Sequence, residues 1–373
     1  MARRPRRCDL PAGRTEPIML RLHIFNVGHG DSILIEFPNG SWGVVDCNDD
    51  GSPNGPPSLL RFLETRGVRE LAFVCLTHPH ADHFSGLPQI LEHYGDSIGE
   101  LWCFRLDSQH WRRFLEVSRN AATTVSKRRD FGQIRVIFEY LAGRLKRNEV
   151  RLLDANHRLP TLEDVEMDCL APHPKELSSY QTSLARWAAH PDEYRADENR
   201  LSVVLRLKYG QSTVLLGSDA TSNSWIDVAK ESVKRADSLR SNLVKVSHHG
   251  SKQGFFRGAW DKISVPQRTH GAISASGQYG LPHRLVITNL RELGVRLHCT
   301  NYAPSCVKTD ELDLSKFEGL SEAEKLQLFM LDQSSNTKQR ACDGDLHFDL
   351  QADGGFAFAH QYAGLCPFHL PFT

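Results

Sequence analysis

The feature that most constrains this chain is a six-residue apolar run, Leu71–Leu76, that leads straight into Thr77-His78-Pro79-His80-Ala81-Asp82-His83. A short run with no polar position reads as a strand covered on both faces, inside a sheet. Three imidazoles and a carboxylate then stand within six residues at the mouth of that strand, in a loop. In a loop, the H-x-H-x-D-H spacing turns alternate side chains toward two adjacent positions. Histidine and aspartate are donors that zinc or manganese accepts. Two such ions about 3.5–4 Å apart clamp an oxyanion and supply hydroxide at neutral pH. A lone histidine is usually a hydrogen-bonded core or surface residue, but this density of donors after a buried strand is not what chance places on a surface.

Around this motif the chain alternates strands and helices. Leu20–Val27, Ser32–Phe37 and Trp42–Asp46 read as an antiparallel meander, with a turn at Pro38-Asn39-Gly40. Ser58–Arg66 and Gly86–Tyr94 read as helices, Leu101–Phe104 as a strand, and Asp107–Arg147 as two or more helices. Strands return at Val165–Leu170, then as a hairpin, Ser202–Tyr209 and Ser212–Leu216, around Gly210-Gln211. Helix Trp225–Arg235, strand Leu243–Ser247, strands Ala272–Ser276 and Gly294–His298 and a last hairpin, Leu346–Leu350 with Phe356–His360, complete the pattern. The order predicts an α+β chain: an αββα sandwich of two sheets face to face with helices outside.

We expect a flexible basic tail at 1–18, a hydrolase domain at 19–305, and a polar segment plus hairpin at 306–373 that completes the domain. Met19, just before the first strand, also allows the tail to be an over-extended start. Within the domain, 105–151 is a basic helical insert, with twelve Lys/Arg against five Asp/Glu, whereas the whole chain is balanced at 45 and 45. A local excess of that size suits a polyanionic substrate, or simply a solvated helical face. The nine cysteines occur singly, with no C-x-x-C pair, so no disulfide framework is expected. No apolar stretch reaches the roughly 18 residues of a membrane span, and no secretory signal is visible. The expectation is a cytoplasmic protein with no membrane partner.

The His loop resembles the signature of the metallo-β-lactamase superfamily, and other landmarks follow in that family's order. Asp46 resembles its early buried aspartate, which organises the His loop. Gly217-Ser218-Asp219 resembles its Gly-x-Asp, whose carboxylate bridges both metals. Ser247-His248-His249-Gly250-Ser251 resembles its closing ligand motif. Asn26-Val27-Gly28-His29-Gly30-Asp31-Ser32 is similar to the "DVGQGD" opening of ComEC-type competence proteins. So are Asn199-Arg200-Leu201-Ser202-Val203-Val204-Leu205 and Tyr279-Gly280-Leu281-Pro282-His283 to further motifs of that group. The ComEC-type domain lies beside membrane segments and is thought to degrade a DNA strand, so this chain looks like a stand-alone relative.

The resemblance implies metal ligands at His78, His80, Asp82, His83, Asp219 and His248. One position would rest on His78, His80 and Asp219, and the other on Asp82, His83, Asp219 and His248. Lactamases and glyoxalases of the fold carry a further ligand histidine about twenty residues before the bridging Asp. Here Asn199 stands near that place, so water or Asn199 would complete the first position. With fewer imidazoles, Mn2+ becomes as plausible as Zn2+.

Asp82 is expected to orient the nucleophile and His283 to protonate the leaving oxygen or bind phosphate. His249 is expected to contact substrate or support the ligands, or to be a hydrogen-bonded structural residue; Asp31 caps a turn, and His29 is undecided. Gly28-x-Gly30 lacks the third glycine and helix of a dinucleotide site, and no Gly-x-Ser-x-Gly elbow is present. The expected activity is a two-metal phosphodiesterase acting on nucleic acid. The alternatives are a small-molecule phosphodiesterase, acting on cyclic nucleotides or phosphocholine esters, or a metal-binding partner without catalysis. A regulatory protein acting through Lys308–Arg340 would be compatible with either enzyme.

Overall fold

A computed structural model describes residues 19–49, 55–155, 157–275, 278–301 and 344–360. The expected tail at 1–18 and the Lys308–Arg340 stretch lie outside the described residues. Two mixed sheets pack face to face, with helices outside, which is the expected αββα arrangement and is consistent with a metallo-β-lactamase fold.

The first sheet contains β1 (Leu20–Ile24), β2 (Ser32–Glu36), β3 (Trp42–Cys47), β4 (Leu71–Leu76), β5 (Ile98–Phe104) and β6 (Val150–Leu153) in sequence order. The second contains β7 (Val165–Ala171), β8 (Val204–Tyr209), β9 (Ser212–Leu216), β10 (Leu243–Lys245), β11 (His270–Ile273) and β12 (Arg296–Cys299). The closing hairpin, β13 (Leu346–Leu350) and β14 (Phe356–His360), returns to the first sheet, where β13 pairs antiparallel with β1, Leu22 opposite Phe348. In both sheets the antiparallel hairpins give way to parallel strands, β3 to β6 and β9 to β12.

The helices are α1 (Ser58–Thr65), α2 (Ala81–Phe84), α3 (Leu87–Tyr94), α4 (Ser108–Ala121), α5 (Val125–Leu145), α6 (Pro174–Ala189), α7 (Ser222–Lys234), α8 (Arg257–Ile263) and α9 (Arg284–Glu292). Alternation along β8 to β11 decides which side chains meet what. Leu205, Leu207, Val214, Leu216, Leu243 and Ala272 join the core between the sheets. Their neighbours Val204, Leu215, Val244 and Ile273 face outward and pack with Trp225, Trp260 and Val286 of α7, α8 and α9. At about 25 cal/mol per Å2 of apolar surface, these two cores hold the sheets in one register. The strand ends then become a fixed platform for loops. At the same edge, β4, β9 and β10 run into the three loops that carry the expected ligands.

Among the described residues, no helix is long and apolar enough to cross a membrane. The basic segment forms α4 and α5, as expected, plus strand β6. Several of its cations are spent on carboxylates: Arg105 on Asp154, Arg144 and Arg147 on Glu149, Arg151 on Glu100, and Arg135 on Glu139. Arg112, Arg119, Lys127, Arg128 and Lys146 are exposed.

Candidate metal centre

Backbone strain marks the site. Among the described residues, ten non-glycine residues have positive φ; five of them, Asp46, Ser218, His248, His249 and Tyr279, belong to the loops gathered at this edge. Such conformations cost on the order of 1–3 kcal/mol each and persist only where the surroundings enforce them. Close packing enforces them here. A Cβ on Gly30 would lie 2.3 Å from the Asp82 carbonyl oxygen, and one on Gly217 would lie 2.3 Å from Ser247 Oγ. Only glycine lets the 28–31 loop press on the His loop and lets β9 end against β10.

Asp219 is the hinge of the geometry. Its Oδ1 lies 3.4 Å from His83 Nε2 and 3.6 Å from His249 Nε2. Its Oδ2 lies 3.9 Å from His78 Nε2 and 3.8 Å from His248 Nε2. Asp82 Oδ2 stands 3.3 Å from His249 Nε2 and 3.9 Å from His83 Nε2. Two clusters share this carboxylate: Asp82, His83, Asp219 and His249 on one side, and His78, His80 and Asp219 on the other. Atoms that ligate one ion at about 2.0–2.2 Å sit roughly 3–4 Å from one another, which is the spacing seen here.

One placement differs from the sequence expectation. His249, not His248, stands with Asp82 and His83, while His248 faces the other oxygen of Asp219. Both residues are left-handed, with φ of 51°, so the chain does not alternate past the end of β10 as a strand would. His249 turns inward and is 1% exposed.

The outward nitrogens are held. His83 Nδ1 donates to Asp46 Oδ2 at 2.7 Å, and Asp46 also accepts from Thr77 N and Thr77 Oγ1. His249 Nδ1 donates to the Ser274 carbonyl at 3.1 Å. Thr77 Oγ1 and Ser218 Oγ flank His78 Nδ1. Partners of this kind fix the ring and leave Nε2 for a ligand. The Nε2 atoms of His78, His83 and His249 and Oδ1 of Asp219 are buried without any hydrogen-bond partner. Orphaned buried polar atoms are costly; His83 Nε2, His249 Nε2 and Asp219 Oδ1 fall in one cluster and His78 Nε2 in the other, and imidazole and carboxylate donors of this kind fit divalent cations.

The electrostatics agree. Burial pushes the Asp219 carboxyl up, but His249, His83 and His78 outweigh it and hold it well below the usual range; His83 and His249 do the same for Asp82. Burial and the neighbouring imidazoles hold His78 neutral. Burial pulls His83 and His249 down, yet the surrounding carboxylates, Asp219 foremost, raise both above the ordinary histidine value. Protons on those two rings balance the buried negative charge, a task that a dication would take over.

Several residues were not legible beforehand. Lys245 and Asp31, both 0% exposed, form an ion pair at 2.8 Å between the two sheets, and neither Asp31 carboxylate oxygen accepts from a backbone N–H, so Asp31 does not cap a turn as expected. Glu198 Oε2 lies 3.5 Å from His80 Nε2, placed by a short 3-10 turn whose cap is Asp197. Its neighbour Asn199 is buried, with Oδ1 lacking a hydrogen-bond partner. His29 Nε2 is 3.3 Å from Asp82 Oδ2, and its ring packs 4.5 Å from that of His249. His283 caps α9, its Nδ1 accepting from Leu285 N, and lines the same cavity as His80, Asp82 and Asp219. That cavity, about 510 Å3, opens over the two clusters.

A model of the metallo-beta-lactamase superfamily matches residues 25–102, which run from the end of β1 through most of β5 and include the His loop. The match and the fold support that superfamily. Among curated proteins no match is found. Solved structures that resemble the chain include CmlA, a diiron beta-hydroxylase from Streptomyces venezuelae (13% identity, 76% of this chain and 53% of that one, TM-score 0.40). They include the metallo-beta-lactamase fold protein YhfI from Bacillus subtilis (11%, 75% and 96%, 0.38). A third is Zn2+-bound PqqB from Methylobacterium extorquens (10%, 74% and 97%, 0.40). The chain spans about half the length of CmlA. At such TM-scores these likenesses carry no argument about chemistry, and the ComEC-type resemblance rests on the sequence motifs alone.

Proposed function

We propose that this chain is a metal-dependent phosphodiesterase that hydrolyses nucleic acid at a two-metal centre. The observation that carries the reading is Asp219: a buried carboxylate whose two oxygens face two separate groups of imidazoles, with four donor atoms left unpartnered. His78, His80, His248 and Asp219 would hold one ion, and Asp82, His83, His249 and Asp219 the other. Bound there, Zn2+ or Mn2+ would supply a nucleophile at neutral pH and stabilise charge developing on phosphorus-bound oxygen.

The chain's own residues do the rest. Asp46 and the Ser274 carbonyl lock the rings of His83 and His249, so no reorganisation is needed during reaction. Asp82, between His29 and His249, orients the attacking group. His283 stands at the cavity wall, where its Nε2 can deliver a proton to a leaving oxygen. The hard oxygen donors Asp82, Asp219 and nearby Glu198 suit manganese as well as zinc.

Nucleic acid is favoured by the exposed cations of α4 and α5 and by the ComEC-type motifs. The first half of α5 packs beside the His loop, where Gln133 Nε2 donates to the Ser85 carbonyl at 2.9 Å. Lys127 and Arg128 lie little more than a turn upstream. A cavity of about 510 Å3 favours the second reading, a single small diester, because it lies within the size range of small-molecule sites.

The test is hydrolysis of bis-p-nitrophenyl phosphate and of single- and double-stranded DNA by metal-stripped protein refilled with Mn2+ or Zn2+, beside His80→Ala and Asp219→Ala. Cleavage of both substrate types, lost in both variants and falling steeply with salt on DNA, supports the nuclease. Cleavage of the small diester alone moves the reading to small phosphodiesters. Chelation that changes stability, with no ester hydrolysed, leaves a metal-binding partner protein.

A further inference from the structure

The cavity over the two clusters has an aromatic lip that metal chemistry does not require. Tyr279 is 76% exposed, yet its backbone is left-handed (φ 58°), a conformation that a bulky aromatic residue rarely adopts. The conformation is held from below. His283 N donates to the Gly250 carbonyl at 2.9 Å, and Pro282 packs so close to Gly250 that a Cβ there would lie 2.5 Å away. These contacts pin the Tyr279–His283 segment to the loop that bears His248 and His249.

The Tyr279 ring meets the His29 ring edge to face, with centroids 5.2 Å apart, and His29 in turn packs on His249. A chain of ring contacts therefore runs from the His249 cluster outward, and the exposed Tyr279 ring ends it. Lys252 lines the same cavity. An aromatic face and a cation flanking a phosphate-cleaving centre are the two contacts that a nucleotide unit offers to fill: a flat base and an anionic backbone.

We propose that Tyr279 is a stacking platform for the base next to the scissile phosphodiester, with Lys252 on the adjoining phosphate. The inference rests on the phosphodiesterase reading and narrows its substrate to base-bearing diesters whose base is unstacked, hence single-stranded or frayed ends rather than intact duplex. The cavity takes one such unit, and the remaining strand runs outside it.

The experiment compares kcat/KM for thymidine 5′-(p-nitrophenyl phosphate) with that for methyl p-nitrophenyl phosphate, which has the same leaving group and no base. The proteins are full-length metal-loaded wild type, Tyr279→Phe, Tyr279→Ala and Tyr279→Gly, the last relieving the left-handed strain. Removal of one stacking contact corresponds to about a 5- to 150-fold loss. Tyr279→Ala and Tyr279→Gly should lose the preference for the nucleoside ester by about that factor. The methyl ester is the reference against which that preference is expressed in each protein, and Tyr279→Phe should resemble wild type.

Calorimetric binding of thymidine 5′-phosphate to each metal-loaded protein provides a readout independent of turnover, and it should weaken by a similar factor in Tyr279→Ala. Both esters cleaved with base preference and nucleotide affinity unchanged in Tyr279→Ala would overturn the inference and leave the phosphodiesterase reading standing. Neither ester cleaved by wild type would overturn the phosphodiesterase reading. Nucleotide affinity would then decide the platform: lost in Tyr279→Ala it stands as a binding site, and unchanged it falls.

Discussion

Replacing Lys245 with methionine keeps the volume of the side chain and removes its charge. The perturbation falls on an ion pair at 2.8 Å whose two members are both 0% exposed, so Asp31 would be left charged and dry, with His249 Nδ1 at 3.9 Å in place of the ammonium at contact distance. Breaking one side of a buried pair costs about 3–5 kcal/mol, against a total stability on the order of 5–15 kcal/mol. For a chain of this size that corresponds to a fall in Tm of roughly 4–6 °C, at about 1.3 °C per kcal/mol. The apolar double variant, Asp31→Leu with Lys245→Met, removes both charges and should recover most of the loss, because neither ion need then be desolvated.

The pair also has a pH signature. Burial pushes the Asp31 carboxyl up, but Lys245, helped by His83 and His249, outweighs it and holds it below the usual value. A depressed folded pKa means that the contribution is complete above the unfolded value of about 4 and is lost as pH falls through the folded one. Urea unfolding of the four proteins of the cycle at neutral pH, in chelator, measures the coupling. A coupling energy under about 1 kcal/mol, or a double variant no more stable than Lys245→Met, would refute the reasoning.

Other consequences follow from the same geometry. Asp46→Asn weakens the acceptor that fixes His83 and should lower metal affinity by about 10- to 100-fold, measured by competition with a chromophoric chelator. Metal uptake should release protons at neutral pH, because His83 and His249 are held above the ordinary histidine value until a cation replaces their protons. Calorimetry in buffers of different ionisation enthalpy would show this, with release falling as pH rises; no buffer dependence near pH 6 would contradict it. Gly30→Ala forces a Cβ to within 2.3 Å of the Asp82 carbonyl oxygen, at φ 135°. It should cost about 2–4 kcal/mol and loosen metal binding, both read from thermal unfolding with and without Mn2+.

What the sequence disclosed divides by distance along the chain. Leu71–Leu76 and its His loop were legible because strand, turn and donors are contiguous, and the hairpin β8–β9 was legible from alternation around Gly210-Gln211. The short β6 and α8 were not, since four and seven residues carry too little periodicity. The Lys245–Asp31 pair joins residues far apart in the chain, and nothing local announces that an inward position of β10 will be a lysine's. The placement of His248 and His249 depends on two successive left-handed residues, held where His248 N donates to the Ser218 carbonyl and where a Cβ on Gly254 would lie 2.9 Å from His248 Cβ. The approach of Glu198 to His80, beside buried Asn199, has no sequence signal because a 3-10 turn, not an extended strand, presents the segment.

Whether Asp219 serves two ions at once is decided by counting the ions. The protein would be stripped, loaded with Zn2+ or Mn2+, desalted and assayed by elemental mass spectrometry against chain concentration. Two ions per chain are expected in wild type, about one in His78→Ala and about one in His249→Ala, with Asp219→Ala retaining neither tightly. One ion per chain in wild type, or two in Asp219→Ala, would contradict this.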